Sequence, residues 1–71
     1  MMYFQCKFSQ GYMIQTAWIE ERGARVGALI ELKGEEGLWK VEEVNQPGRD
    51  AKWLQENSVK VKKDWNKLNN V

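Results

Sequence analysis

The sequence predicts a mainly β protein with a C-terminal helix, folded as a small, partly closed antiparallel barrel. Three observations carry that reading. Hydrophobic residues alternate by two through most of residues 1 to 44, glycines mark the corners between the alternating runs, and a helical start signal follows the only proline. A bent antiparallel sheet packed on one helix is the alternative arrangement of the same elements.

The first element is the clearest. Met2, Phe4, Cys6 and Phe8 fall on one side of "MMYFQCKFSQ", and Tyr3, Gln5, Lys7 and Ser9 on the other, which is the period of a half-buried strand. Gln10-Gly11 supplies a turn, and "YMIQTAWIE" resumes in β-branched and aromatic residues. Tyr12, Ile14, Thr16 and Trp18 share one face of this second strand, and Met13, Gln15, Ala17 and Ile19 the other. Apolar atoms on both faces predict a central position in the sheet.

After the Glu20-Glu21-Arg22-Gly23 cluster, Ala24, Val26, Ala28, Ile30 and Leu32 alternate with more polar neighbours and predict a third strand. Gly27 within it signals a bulge or a sharp bend, because an interior glycine otherwise weakens a strand. "KGEEG" is a compact polar connection to "LWKVEEV", so residues 28 to 44 read as a hairpin with Trp39 and Val41 pointing inward. The doubled Glu42-Glu43 breaks the alternation, as a bulge or a fraying strand end does. Trp18, Ile19, Val26, Ile30 and Leu32 are the expected core.

"NQPGRD" is the sharpest boundary in the chain. It divides residues 1–48, a four-stranded barrel core, from residues 49–71, a basic helical element packed on that core, within a single domain. Asp50 is placed as an N-cap. Leu54, Ser58, Val61, Trp65 and Leu68 recur at spacings of four and three, which favours one long C-terminal helix. The competing reading is a short helix over 51 to 57 followed by a strand, since "SVKVK" also alternates by two with Val59 and Val61 on one side. Four short strands with glycine corners and one terminal element make the barrel SH3-like in kind.

Seventy-one residues allow one small core, with a stability margin of only about 3–5 kcal/mol. Four Trp, two Tyr and two Phe are therefore expected inside it or in a subunit interface, and a homodimer is one way to bury them. The chemistry absent from the chain is informative. Histidine, the commonest general base and metal ligand, does not occur. A lone Cys6 forms neither a nucleophilic pair with histidine nor a four-ligand zinc site, and flanked by Phe4 and Phe8 it reads as an inert core residue. No glycine-rich phosphate loop occurs. The acid pairs Glu20-Glu21, Glu35-Glu36 and Glu42-Glu43 lie where solvated turn residues are expected. Neither an enzyme nor a cofactor or metal is expected. No apolar run approaches the roughly 18 residues that cross a bilayer, and the N-terminus lacks a signal-peptide pattern, so no membrane partner and a cytoplasmic location are expected.

Charge points to binding instead. Eleven basic and ten acidic residues give a net +1, but residues 1–48 carry five against seven and residues 49–71 six against three. The tail is thus net +3 on a body of −2. Lys60, Lys62, Lys63 and Lys67 cluster around Trp65, with Lys52 upstream, and basic residues interleaved with aromatics suit single-stranded nucleic acid. A soluble helix face has the same composition. Arg22 and Arg25 flank Gly23, where they can meet a phosphate, an acidic partner or the neighbouring Glu20 and Glu21. Trp53, off the helical stripe, is the aromatic most expected to be exposed, and with Arg49 it forms a candidate anchor for a protein partner.

"TAWIEERGARVG", an apolar alternation and "GLWKVEEV" together resemble the core of small uncharacterised proteins encoded by tailed bacteriophages and prophages, over roughly residues 16 to 44. The shared features are a Trp-Ile strand, a Gly-Ala-x-Val-Gly turn-strand and a Trp-x-Val strand. The tail "DWNKLNNV" departs from that group. The Gly-Ala-x-Val-Gly turn is also similar to SH3-like modules of the KOW type. The resemblance implies a viral accessory protein acting by binding in a bacterial cytoplasm. Its target would be a host or phage protein, engaged as adaptor or inhibitor, or alternatively a nucleic acid.

Overall fold

A computed structural model of the chain describes residues 1 to 62. An antiparallel sheet curls into a half-barrel, with one short helix near its C-terminal end. The strands are β1 (Met2–Gln10), β2 (Met13–Glu20), β3 (Leu29–Glu31), β4 (Leu38–Val44) and β5 (Arg49–Asp50), followed by helix α1 (Ala51–Glu56). The sheet runs β2-β1-β4-β3, and β5 pairs with the start of β1 beyond the end of β4.

The long first strand organises everything. β1 holds β2 along its full length, from Tyr3 opposite Glu20 to Gln10 opposite Met13. On its other edge it takes β4 and then β5. Its inward residues Cys6 and Phe8 join Ala17 and Ile19 of β2, Ile30 and Leu32 of the third segment, and Trp39 and Val41 of β4 in one buried cluster. Phe4, Ala24, Ala28 and Val44 pack at its margin. Fully burying side chains such as Phe8, Ile19, Leu32 and Val41 contributes about 1.5–3 kcal/mol each, so this cluster is the main source of stability.

Several predicted features are present. The β3–β4 hairpin pairs Ile30 with Trp39, and Trp39 and Val41 face inward. The register shifts between Lys7 and Phe8 opposite Glu42, so the doubled glutamate is a bulge rather than a frayed end. Asp50 caps α1, its Oδ1 accepting from the Trp53 N–H at 2.9 Å.

Other expectations are corrected. The third strand is only three residues long, because the chain leaves β2 through a 3-10 turn at Glu21–Gly23 and then a tight turn closed by Ala28 N–H donating to Arg25 O at 3.0 Å. Gly27 occupies the third position of that turn with φ +91°, the left-handed backbone that such a turn demands there. Val26, beside it, is 69% exposed and lies outside the core. β2 is an edge strand, not a central one. Its second apolar face is explained by Trp18, which packs against the helix.

The long helix is also corrected: a short helix forms, as in the competing reading, but among the described residues it is followed by a turn and one isolated bridge rather than a strand. α1 stops at Glu56, and Ser58 enters the left-handed region at φ 57°. Ser58 N–H then donates to Gln55 O and Val59 N–H to Leu54 O, the paired bonds of a Schellman stop. Asn57 seals the same end through its Nδ2 on Trp53 O at 2.8 Å. Beyond it the chain is extended: Val61 bridges Trp18 in parallel, Lys62 N–H donates to Trp18 O at 3.0 Å, and Lys62 O accepts from Lys33 N–H. Residues 61–62 therefore span the gap between β2 and the end of β3, the two open sides of the half-barrel. The helical stripe cannot run through Ser58 and Val61, and its members Trp65 and Leu68 lie outside the described residues.

Candidate functional site

Arg49, Trp53 and Trp18 come together where the chain crosses from β5 into α1. Gly48 makes the approach possible: a Cβ there would lie 2.6 Å from Phe4 Cζ, so only glycine lets the backbone rest on that ring. β5 then pairs Arg49 with Tyr3 and Asp50 with Met2. One turn into α1, Trp53 projects back over β5 and across to β2. Its ring centroid stands 5.4 Å from that of Trp18, with the planes tilted at 41°. The Arg49 guanidinium carbon lies 4.7 Å from the centroid of Trp53, close enough for a cation–π contact.

The half-buried Trp53 ring thus contacts both an indole and a cation, and its backbone is fixed by the Asp50 cap. A cleft of about 210 Å³ opens beside it, lined by Met2, Gly48, Arg49, Asp50 and Trp53. It is apolar on the Met2 and Trp53 side and carries one positive and one negative group. Such a cleft suits a single side chain or a short peptide segment rather than a large cofactor.

A second concave surface lies near the bridging segment. Lys60, Val61 and Lys62 line a groove of about 470 Å³ together with Lys33, which the Lys33–Lys62 main-chain bond brings alongside. The alternation of "KVK" puts Lys60 and Lys62 on one side of the extended chain. Lys62 is partly neutralised by Glu35, Nζ to Oε2 at 3.7 Å.

Of the predicted residues, Arg49 and Trp53 are in contact, and Lys60 and Lys62 share the second surface; Trp53 is half-buried against Trp18, and the most exposed aromatic among the described residues is instead Tyr12, at the β1–β2 turn. Lys52 is exposed on α1, on neither lining. Arg22 and Arg25 are exposed around the 3-10 turn and line neither cleft. Lys63, Trp65 and Lys67 lie outside the described residues. Sequence reasoning did not place Met2, Gly48, Trp18 or Lys33 at these surfaces. Only Trp18 carried a signal, because it falls on the strand face opposite Ala17 and Ile19.

Among the described residues no group of three or more His, Cys, Asp or Glu is arranged to hold a metal ion, and no helix is long and apolar enough to cross a membrane. Cys6 is completely buried, and desolvation pushes its thiol up to about 11. Compared with protein-family models, with curated proteins and with solved structures, the chain shows no significant match.

Proposed function

We propose that this chain is a small non-catalytic binding module that docks on a protein partner, as an adaptor or inhibitor, through the Arg49–Trp53 cleft. The observation that carries the reading is the preformed stack of Trp18, Trp53 and Arg49 beside that cleft. Tryptophan and arginine dominate interface hot spots, and side chains already held in place lose less conformational entropy on binding. The phage-protein resemblance of residues 16 to 44 makes a bacterial cytoplasmic protein the first partner to seek.

A second reading, nucleic-acid binding, is favoured by the Lys33–Lys60–Lys62 groove and the net +3 of residues 49–71. Salt separates the two, because phosphate contacts release counterions whereas an aromatic-anchored protein interface depends less on ionic strength. The test has two arms. Immobilised chain is used to capture partners from bacterial lysate, and tryptophan fluorescence follows titration with single-stranded RNA, single-stranded DNA and duplex DNA across a salt series. The proposal predicts a captured protein that Trp53→Ala reduces at least about tenfold, as expected for a hot spot worth more than 1.4 kcal/mol. Saturable quenching by nucleic acid that falls steeply with salt, and is lost in the Lys60→Glu/Lys62→Glu variant, would instead establish the second reading.

A further inference from the structure

From Phe8 to Ile19 the sequence holds no charged residue, although 30% of the chain is charged. This neutral stretch forms the tip of the β1–β2 hairpin and most of β2, an edge strand of the sheet. Natural edge strands are normally protected by charge, proline, a bulge or a covering segment, because a row of unpaired amides and carbonyls invites another strand. Here Tyr12 is fully exposed, Met13 is 56% exposed and Ile14 is 62% exposed. Among the described residues the only cover is at one end, where Val61 and Lys62 engage Trp18.

That contact also defines which main-chain groups face outward. Trp18 O points away from β1 to meet Lys62 N–H. Strand groups alternate by two, so the amides and carbonyls of Ile14 and Thr16 point to the same open side. The open stretch runs from the turn at Tyr12 to Thr16, and Ile14 is its midpoint.

We infer that β2 is a self-association edge, on which a second copy of this chain pairs antiparallel about a two-fold axis at Ile14. In that register Ile14 exchanges both main-chain hydrogen bonds with its own counterpart, and Thr16 stands opposite Tyr12 of the second copy. A two-fold contact sets every residue against the same surface, so a charged strand would meet its own charges; this one meets none. The occupant is a second copy because the uncharged stretch sets no like charges against itself across a two-fold axis and carries none that would select a charged partner. The surface is separate from the Arg49–Trp53 cleft, and the inference stands independently of the function proposed for that cleft.

The test is sedimentation equilibrium of the full chain over a concentration series, with two variants at an exposed position where folding is not at stake. The chain is expected to dimerise reversibly, and Ile14→Lys to raise the dimer dissociation constant at least about tenfold by setting two like charges opposite each other. Ile14→Cys is expected to form a disulfide-linked dimer under mild oxidation, since directly opposed residues of a hydrogen-bonded antiparallel pair stand about 5.5 Å apart at Cα, within disulfide reach. Buried Cys6 does not compete. A chain that stays monomeric at millimolar concentration, a dimer that Ile14→Lys leaves unchanged, or the absence of the Ile14→Cys cross-link overturns the inference.

Discussion

Cys6 and Trp53 both carry chemically versatile side chains, and their surroundings give them opposite fates. Cys6 lies on the inward face of β1 between Phe4 and Phe8, fully buried, so its thiolate is disfavoured by desolvation and its pKa rises to about 11. An unfolded thiol titrates near 9.0. Because the folded value is the higher, the stabilisation from keeping the thiol neutral is complete below the unfolded pKa and is lost as pH rises toward the folded one. The unfolding free energy from urea titrations should therefore fall between about pH 9 and 11 by on the order of 2 kcal/mol more than in a Cys6→Ala variant. At pH 8 a thiol reagent should modify the native chain on the order of 100-fold more slowly than the urea-unfolded chain, from the thiolate fraction alone. Native-state labelling as fast as in urea would contradict the burial. Trp53, by contrast, stays half-exposed and lines a cleft while its ring contacts Trp18 and Arg49.

At the scale of elements, short polar signals decide where structures stop. The spacing of Leu54, Ser58, Val61 and Trp65 favours a long helix, yet Asn57 and Ser58 end it after six helical residues. Ser58 holds a left-handed backbone at φ 57°, a conformation that costs a non-glycine residue about 1 kcal/mol. Ser58→Gly should therefore raise stability by about 0.5–1 kcal/mol, read as a higher urea midpoint with unchanged slope. A neutral or lower midpoint would argue against this helix stop. The strands were legible because the half-barrel buries one face of each, so Phe4, Cys6 and Phe8, or Trp39 and Val41, announce themselves by alternation. Asp50 was legible for a similarly local reason, whereas the doubled glutamate announced an irregularity that only the register against β1 resolves as a bulge. The edge position of β2 was not, because the partner of Trp18 comes from α1, more than thirty residues away. Val26 misled for the opposite reason: its alternation is in step with Ile30, but the turn at Gly27 swings it into solvent. At the candidate site, Arg49 and Trp53 were legible as neighbours on a helix start, whereas Met2 and Trp18 reach them only through sheet pairing.

At the scale of the whole molecule, a chain with one modest core leaves Trp18, Trp53, Arg49, Lys60 and Lys62 at the junction between sheet and C-terminal segment. β5 fastens that segment to β1, α1 carries Trp53 across to β2, and residues 61–62 span the open side of the half-barrel. The arrangement yields a rigid platform with an Arg-Trp cleft, a lysine-lined groove and a neutral strand edge as separate surfaces. We propose that the cleft, not the groove, is the working surface. Its most direct test places a photo-cross-linking phenylalanine analogue at position 2, on the cleft lining beside Trp53, in the full chain expressed in bacteria, with the same group at the exposed position 36 as reference, and identifies the adducts by mass spectrometry. A discrete protein adduct from position 2 is expected, one that Arg49→Ala or Trp53→Ala diminishes and position 36 does not give. Adducts to nucleic acid alone, or the same adducts from both positions, would contradict it.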